Sequence, residues 1–148
     1  MMEKISVYEG DNPFVFVSYA HKDGDAVYRI LRLLQGRGLR IWYDEGITPG
    51  SEWPEYIASH LDRAAAVIVF ITENSVNSFN CRREITFAQA RNKNFISVFL
   101  EKTEVPLGME LQLSAQQSMF RYDYASDEAF VDRLIRTPCL QPCIRPSR

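Results

Sequence analysis

The sequence predicts an α/β fold with a five-stranded parallel sheet and helices on both faces, and three observations carry the prediction. Strand-like and helix-like periods alternate through most of its 148 residues. The runs Phe14–Val17 and Val67–Ile71 are apolar without polar alternation, as in strands covered on both sides. Polar, turn-forming segments separate the periodic stretches, which suits right-handed crossovers. Five strands in this length fit a flavodoxin-like three-layer arrangement with sheet order 2-1-3-4-5.

Residues 1–12 read as an N-terminal extension, closed by the turn signal Gly10-Asp11-Asn12-Pro13. After the first strand, Val27, Ile30, Leu31 and Leu34 fall at i, i+3, i+4 and i+7, the apolar stripe of a helix. Asp23 or Asp25 is placed to cap it, and Gly36 or Gly38 to stop it. Leu39–Tyr43 is a short second strand that ends in the turn-rich loop Asp44–Gly50. Ser51 then caps a helix with Pro54 in its tolerated first turn and Trp53, Ile57 and Leu61 on its inner face.

Val67–Ile71 is the central strand, and the polar loop Thr72–Ser78 leads from it to a helix over about Asn80–Asn92. Phe95–Leu100 is a fourth strand, and Glu101–Leu113 an irregular connection with room for a helical turn. Gln117–Tyr122 is more polar, which suits an edge strand, and a last helix spans about Ser126–Arg136. The domain is placed at residues 13–137, with 138–148 a tail or the start of a linker. There is no internal repeat.

Composition excludes several classes. With 17 basic and 19 acidic residues and a net charge of −2, the chain has no basic footprint for nucleic acid. No apolar run approaches the roughly 20 residues that cross a bilayer, so no membrane partner is expected. Met1–Ile5 lacks the basic start and apolar core of a signal peptide. Three cysteines, Cys81, Cys139 and Cys143, are an odd and sparse set, so the chain reads as a protein of the reducing cytoplasm without a disulfide framework or metal site.

In the 2-1-3-4-5 order the topological switch point lies between the first and third strands, and ligands bind there at the carboxyl ends of strands. The loops Ser18–Asp23 and Thr72–Asn80 should flank one crevice, with Asp44–Gly50 alongside. Glu84, in the first turns of the helix beside that crevice, is the candidate acid. An acid near a helix N-terminus also complements the macrodipole without any chemistry, by about 0.3–1 kcal/mol. Asp44 and Glu45 are candidate ligand contacts or plain turn formers. His21 has no serine elbow or cysteine beside it, so a nucleophilic triad lacks support. His60, in mid-helix, reads as exposed surface. Gly46–Gly50 lacks the Lys-Ser/Thr ending of a phosphate-binding P-loop.

These blocks together resemble Toll/interleukin receptor (TIR) domains of the bacterial type. Phe14–Asp23 is similar to the first TIR signature. Gly38–Glu45, followed by Pro49-Gly50, Trp53 and Ile57, resembles the second strand, its loop and the next helix. Ser78, Cys81 and Glu84 resemble the Ser, Cys and Glu pattern of the third helix. The resemblance runs from about Pro13 to Arg136.

It implies two functions that are not exclusive, because in this family association of TIR domains often assembles the full NAD site. The first is hydrolysis of NAD+ as substrate, with no further cofactor, releasing nicotinamide and ADP-ribose or a cyclic isomer, with Glu84 catalytic. Ser18, Tyr19, His21, Tyr43, Asp44 and Glu45 would then bind substrate, Tyr43 by stacking on a ring. Many active members carry Trp four residues before the Glu, where this chain has Asn80; Phe79 is adjacent and could substitute, although turned about 100° away on a helix, so Phe79 and Asn80 join the expected substrate contacts. The second is a non-enzymatic adaptor that signals by TIR–TIR self-association through the Asp44–Gly50 loop. In either case the module belongs with a fused or separate effector domain and with anti-phage defence or host manipulation.

Overall fold

The computed structural model describes residues 5–44 and 53–146, with the side chains of Trp53 and Pro54 excepted. Its strands are β1 (Val15–Ser18), β2 (Ile41–Tyr43), β3 (Ala66–Ile71), β4 (Asn94–Phe99) and β5 (Gln117–Phe120). All pair in parallel, in the order β2-β1-β3-β4-β5. Six α-helices accompany them among the described residues: α1 (Gly24–Gly36), α2 (Trp53–Arg63), α3 (Glu73–Val76), α4 (Phe79–Ala90), α5 (Leu107–Leu113) and α6 (Asp127–Leu134). This is the flavodoxin-like architecture expected, with β5 at an edge as its polarity suggested. None of these helices is long and apolar enough to cross a membrane.

Strand alternation divides the core into two layers. Val15, Val17, Ile41, Tyr43, Ile68 and Val98 face α1 and α6 and meet Leu31, Leu34 and Phe130 there. Phe16, Trp42, Val67, Val69 and Phe95 face the other way and meet Ile57 and Leu61 of α2, Ile85 and Ala88 of α4, and Met109 and Leu113 of α5. Each fully buried side chain of this size contributes about 1.5–3 kcal/mol by leaving water. Period two thus decides a functional matter: Ser18, three residues after Val15, lies on the α4 side of β1.

Local chemistry sets the helix ends. The α1 helix closes in a Schellman motif, with Gly38 N–H donating to Gln35 and Leu39 N–H to Leu34. Gly38 has φ of 94°, the left-handed region that glycine enters without a Cβ penalty. Asn92, at φ of 55°, ends α4 in the same way. Asp23 precedes α1 without capping it by its side chain; its carboxylate is spent elsewhere. Thr72–Ser78, expected as a loop, contains the one-turn α3, nucleated by a capping box between Thr72 and Ser75.

The described residues on either side of the 13–137 domain pack against it. Ile5 is buried, Tyr8 N–H donates to Ile41, and the Tyr43 hydroxyl donates to the Ile5 carbonyl. This segment therefore covers the outer edge of β2, which a sheet must protect. Near the other end, a 3-10 segment at Pro138–Cys143 buries Leu140 and Cys143, and Leu39 bridges to Ile144. His60 corrects its reading as exposed surface. It is 4% exposed, stacked on Trp42 with ring centroids 4.0 Å apart, and held through Nε2 to Glu9 at 2.8 Å. The helical stripe could not reveal this, because its cover comes from β2 and from residue 9.

Candidate active site

Glu84 is placed by three successive features of α4. Ser78 caps the helix by accepting from the Cys81 N–H at 3.2 Å. Cys81 then turns inward and is buried, and Glu84, a further three residues on, returns to the same side. There the carboxyl meets β1: Ser18 Oγ donates to Glu84 Oε1 at 2.6 Å. Burial pushes the Glu84 carboxyl up to about 8. The Ser18 hydrogen bond pulls against that rise, the negative field of Asp44 adds to it, and Arg83 opposes it. A partly buried carboxyl with a raised pKa in a cleft is a candidate functional position.

The crevice encloses about 470 Å³ at the carboxyl ends of β1, β2 and β3, within the range of small-molecule sites. Tyr19, His21, Lys22, Asp44, Asn80 and Glu84 line it, with Asn74, Asn77 and Ser78 on the far wall. The switch-point prediction is met: the loops after β1 and β3 flank one cleft. They are tied together by Asp23, whose carboxylate accepts from Thr72 Oγ1 at 2.5 Å and from Asn74 Nδ2 at 2.8 Å. That explains why Asp23 is not a helix cap; it holds the two walls at a fixed separation.

The expected substrate contacts divide. His21 and Asp44 face each other across the rim, Nε2 to Oδ2 at 3.6 Å, with His21 half exposed and Asp44 buried. Asn80 lines the crevice and is exposed. Tyr19 lines it too, but its hydroxyl is bonded to the Tyr28 hydroxyl at 2.8 Å and to the Asp44 carbonyl at 3.0 Å. Burial drives its pKa upward, so the phenol stays neutral. Ser18 is buried beneath Glu84, and its hydroxyl meets that carboxyl.

Two expectations are overturned. Tyr43 is fully buried and packs against Tyr19 and Tyr28 in the layer facing α1, so it cannot stack on a bound ring. Strand parity decides it: Trp42, not Tyr43, is on the Glu84 side of the sheet. Phe79 is 71% exposed, lies under the Arg83 guanidinium at 5.3 Å and is not part of the crevice wall. Glu45 and the rest of the loop to Gly50 lie outside the described residues.

Lys22, Asn74 and Asn77 were not singled out from sequence, although they sit in the two loops that the switch-point argument named. Cys81 faces the crevice, but burial pushes its thiol up to about 11, with the Ser78 hydrogen bond working the other way. It is a neutral thiol and a poor nucleophile at neutral pH.

A doubly wound α/β domain with one acid across its switch point is the class of protein that this geometry defines. The chain belongs to the TIR domain family, whose model matches residues 15–135. Among solved structures it is similar to the TIR domain of the Toll-related receptor TRR-2 from Hydra magnipapillata, with TM-score 0.68 and 18% identity over 82% of this chain and 94% of that one. It is also similar to a Clostridium botulinum CMP N-glycosidase, with TM-score 0.60 and 16% identity over 81% of this chain and 95% of that one. A third similar structure is the 2-deoxyribosyltransferase of Bacillus psychrosaccharolyticus, with TM-score 0.61 and 11% identity over 90% and 98% of the two chains. No curated protein matches the sequence significantly.

Proposed function

We propose that this TIR domain is an NAD+ glycohydrolase in which Glu84 is the catalytic residue. The observation that carries the reading is Glu84 itself, aimed by Ser18 at a 470 Å³ polar crevice and held with a raised pKa. In the reaction the bond between C1′ of the ribose and the nicotinamide nitrogen breaks. Its electron pair returns to the pyridinium ring, so nicotinamide leaves neutral and needs no proton. The ribose carbon takes on oxocarbenium character, which one carboxylate on its face stabilises. Water, or a nucleophile on the substrate itself, then bonds to C1′ and loses its proton, giving ADP-ribose or a cyclic isomer.

The raised pKa suits a cationic substrate. Glu84 is mostly neutral in the free protein at pH 7, and a pyridinium brought against it favours the ionised form. The catalytic charge thus forms when the substrate arrives. His21, Asp44 and Asn80 contact the substrate, and Lys22 supplies a cation on the rim for a diphosphate. That the same fold carries an N-glycosidase and a deoxyribosyltransferase is consistent with glycosidic chemistry, by analogy of fold alone.

Assembly completes the proposal. Self-association is expected through contacts between TIR domains, and Phe79, Leu107 and Leu111, 71%, 84% and 76% exposed, are apolar side chains open to such contacts. The three cysteines are free thiols, consistent with the cytoplasm, and defence signalling is the role in which we place the module. The test is nicotinamide release from NAD+, followed by chromatography over a protein concentration series, beside Glu84→Gln. Release that depends on Glu84 supports the reading. Equal release from both proteins removes Glu84 from catalysis, and no release in any assembly state favours the adaptor function.

A further inference from the structure

A second cavity of about 350 Å³ lies between α2 and α4, walled by Ile57, Ala58, Leu61, Phe87 and Ala90. It differs from the crevice in character: its walls are mainly apolar, with Arg83 and Thr86 among them, whereas those of the crevice are mostly polar and charged. Two residues, Asn80 and Glu84, line both. The proposed cleavage point therefore stands at the junction of an apolar compartment and a polar one. A ribosyl phosphate with a planar base has the same division, with a flat heterocycle on one side of the glycosidic bond and a polyhydroxyl, anionic group on the other.

We infer that the cavity between α2 and α4 receives the leaving base and that Asn80 reads the donor–acceptor edge of that base. The inference rests on the glycohydrolase reading and adds to it the base class and the residue that selects it. Asn80 and Glu84 are one helical turn apart on α4, so their side chains start about 5–6 Å from each other. That spacing matches the span of a six-membered ring from its glycosidic nitrogen to an amide or amino substituent. With the nitrogen at Glu84, the substituent arrives at Asn80, whose carboxamide both donates and accepts. Asn80 has no side-chain hydrogen bond among the described residues, so that capacity is available. A Trp at this position would fill the mouth and offer no acceptor. The ligand chemistry is a planar heterocycle with adjacent donor and acceptor, which nicotinamide and cytosine both present.

The experiment has a turnover arm and a binding arm, both on the full chain. Turnover is measured on NAD+, on its nicotinic acid analogue and on CMP, for wild type, Asn80→Ala, Asn80→Asp and the cavity-filling Ala58→Phe. Binding of free nicotinamide and free cytosine is read by saturation-transfer NMR on the same proteins. Asn80→Ala is expected to raise KM for the preferred substrate about tenfold with kcat within about threefold, because a hydrogen bond to the base is lost. Asn80→Asp should shrink the preference for the carboxamide over the carboxylate base, and Ala58→Phe should abolish base binding while its thermal unfolding stays near that of wild type. CMP cleaved in place of NAD+, with the same Asn80 and Ala58 dependence, supports the base subsite and identifies a pyrimidine as its occupant. If neither substrate turns over but a base binds and Ala58→Phe displaces it, the glycohydrolase reading fails and the subsite stands. If NAD+ turns over with unchanged KM in both Asn80→Ala and Ala58→Phe, the subsite is overturned and the glycohydrolase reading stands. Absence of both turnover and base binding overturns the two together.

Discussion

Glu9 and Glu84 are the same side chain in two environments, and the fold moves their pKa values in opposite directions. Burial works against the charge on both. At Glu9 the donors outweigh it: His60 Nε2 at 2.8 Å, Tyr56 hydroxyl at 3.2 Å and Trp42 Nε1 at 3.3 Å hold the carboxyl below its ordinary value. At Glu84 the single donor among the described residues is Ser18, and the carboxyl rises to about 8. The difference is a matter of donors. The Glu9 carboxylate, which ties distant segments together, is satisfied by its neighbours, whereas the Glu84 carboxyl is left under-satisfied beside an open cleft, as the proposed catalytic role requires.

The strongest way to test that contrast is Glu84→Gln. Its activity on NAD+ should fall by about 10²–10³-fold or more. Its stability should move the other way. A carboxyl with a folded pKa of about 8 and an unfolded pKa near 4.5 destabilises the native state progressively as pH rises through that window. Thermal unfolding should therefore show the variant gaining on wild type from pH 4.5 to 8, with a constant difference below and above. A gain that does not depend on pH would break the contrast. For wild type, kcat/KM should rise with pH to a plateau above about 8, since the carboxylate is the working form.

Removing His60 probes the satisfied side. His60→Ala deletes a buried ring stacked on Trp42 and strips Glu9 of its nearest donor, at a cost of about 2–4 kcal/mol in urea unfolding. The loss should be smaller in acid, because Glu9's depressed pKa stabilises the fold only above it and that part vanishes as pH falls through it.

A smaller effect is expected from Ser18→Ala. Loss of the one donor lets the Glu84 carboxyl rise further, so the ascending limb of kcat/KM should shift to higher pH and the value at pH 7 drop about tenfold. An unshifted limb would show that Ser18 does not hold the charge. Smallest of all is Tyr43→Phe, which removes the hydroxyl that donates to the Ile5 carbonyl. About 1 kcal/mol of stability should be lost and KM for NAD+ should not change.

Much of the fold was legible because it depends on local periods. The runs at Val15–Ser18 and Ala66–Ile71 identify their strands, the stripe Val27–Leu34 identifies α1, and alternation alone implies a parallel sheet with its crevice between β1 and β3. Glu84 could be chosen because a motif and a topological rule converge on one helix start. The errors arose where one residue's surroundings come from distant segments. His60 reads as surface until Trp42 and Glu9 cover it. Tyr43 reads as a ligand platform until strand parity and α1 enclose it. Asp23 reads as a cap until Thr72 and Asn74 reach it from across the sheet.

The sequence by itself determined the order of elements, the two-layered core and the end of the sheet at which a site can form, since these follow from hydrophobic period and right-handed connection. Only the tertiary structure decided the charge state of Glu84, the pairing of Ser18 with it and the second cavity behind Asn80. Those depend on desolvation and on the distance between segments far apart in the chain, quantities that exist only once the chain has packed.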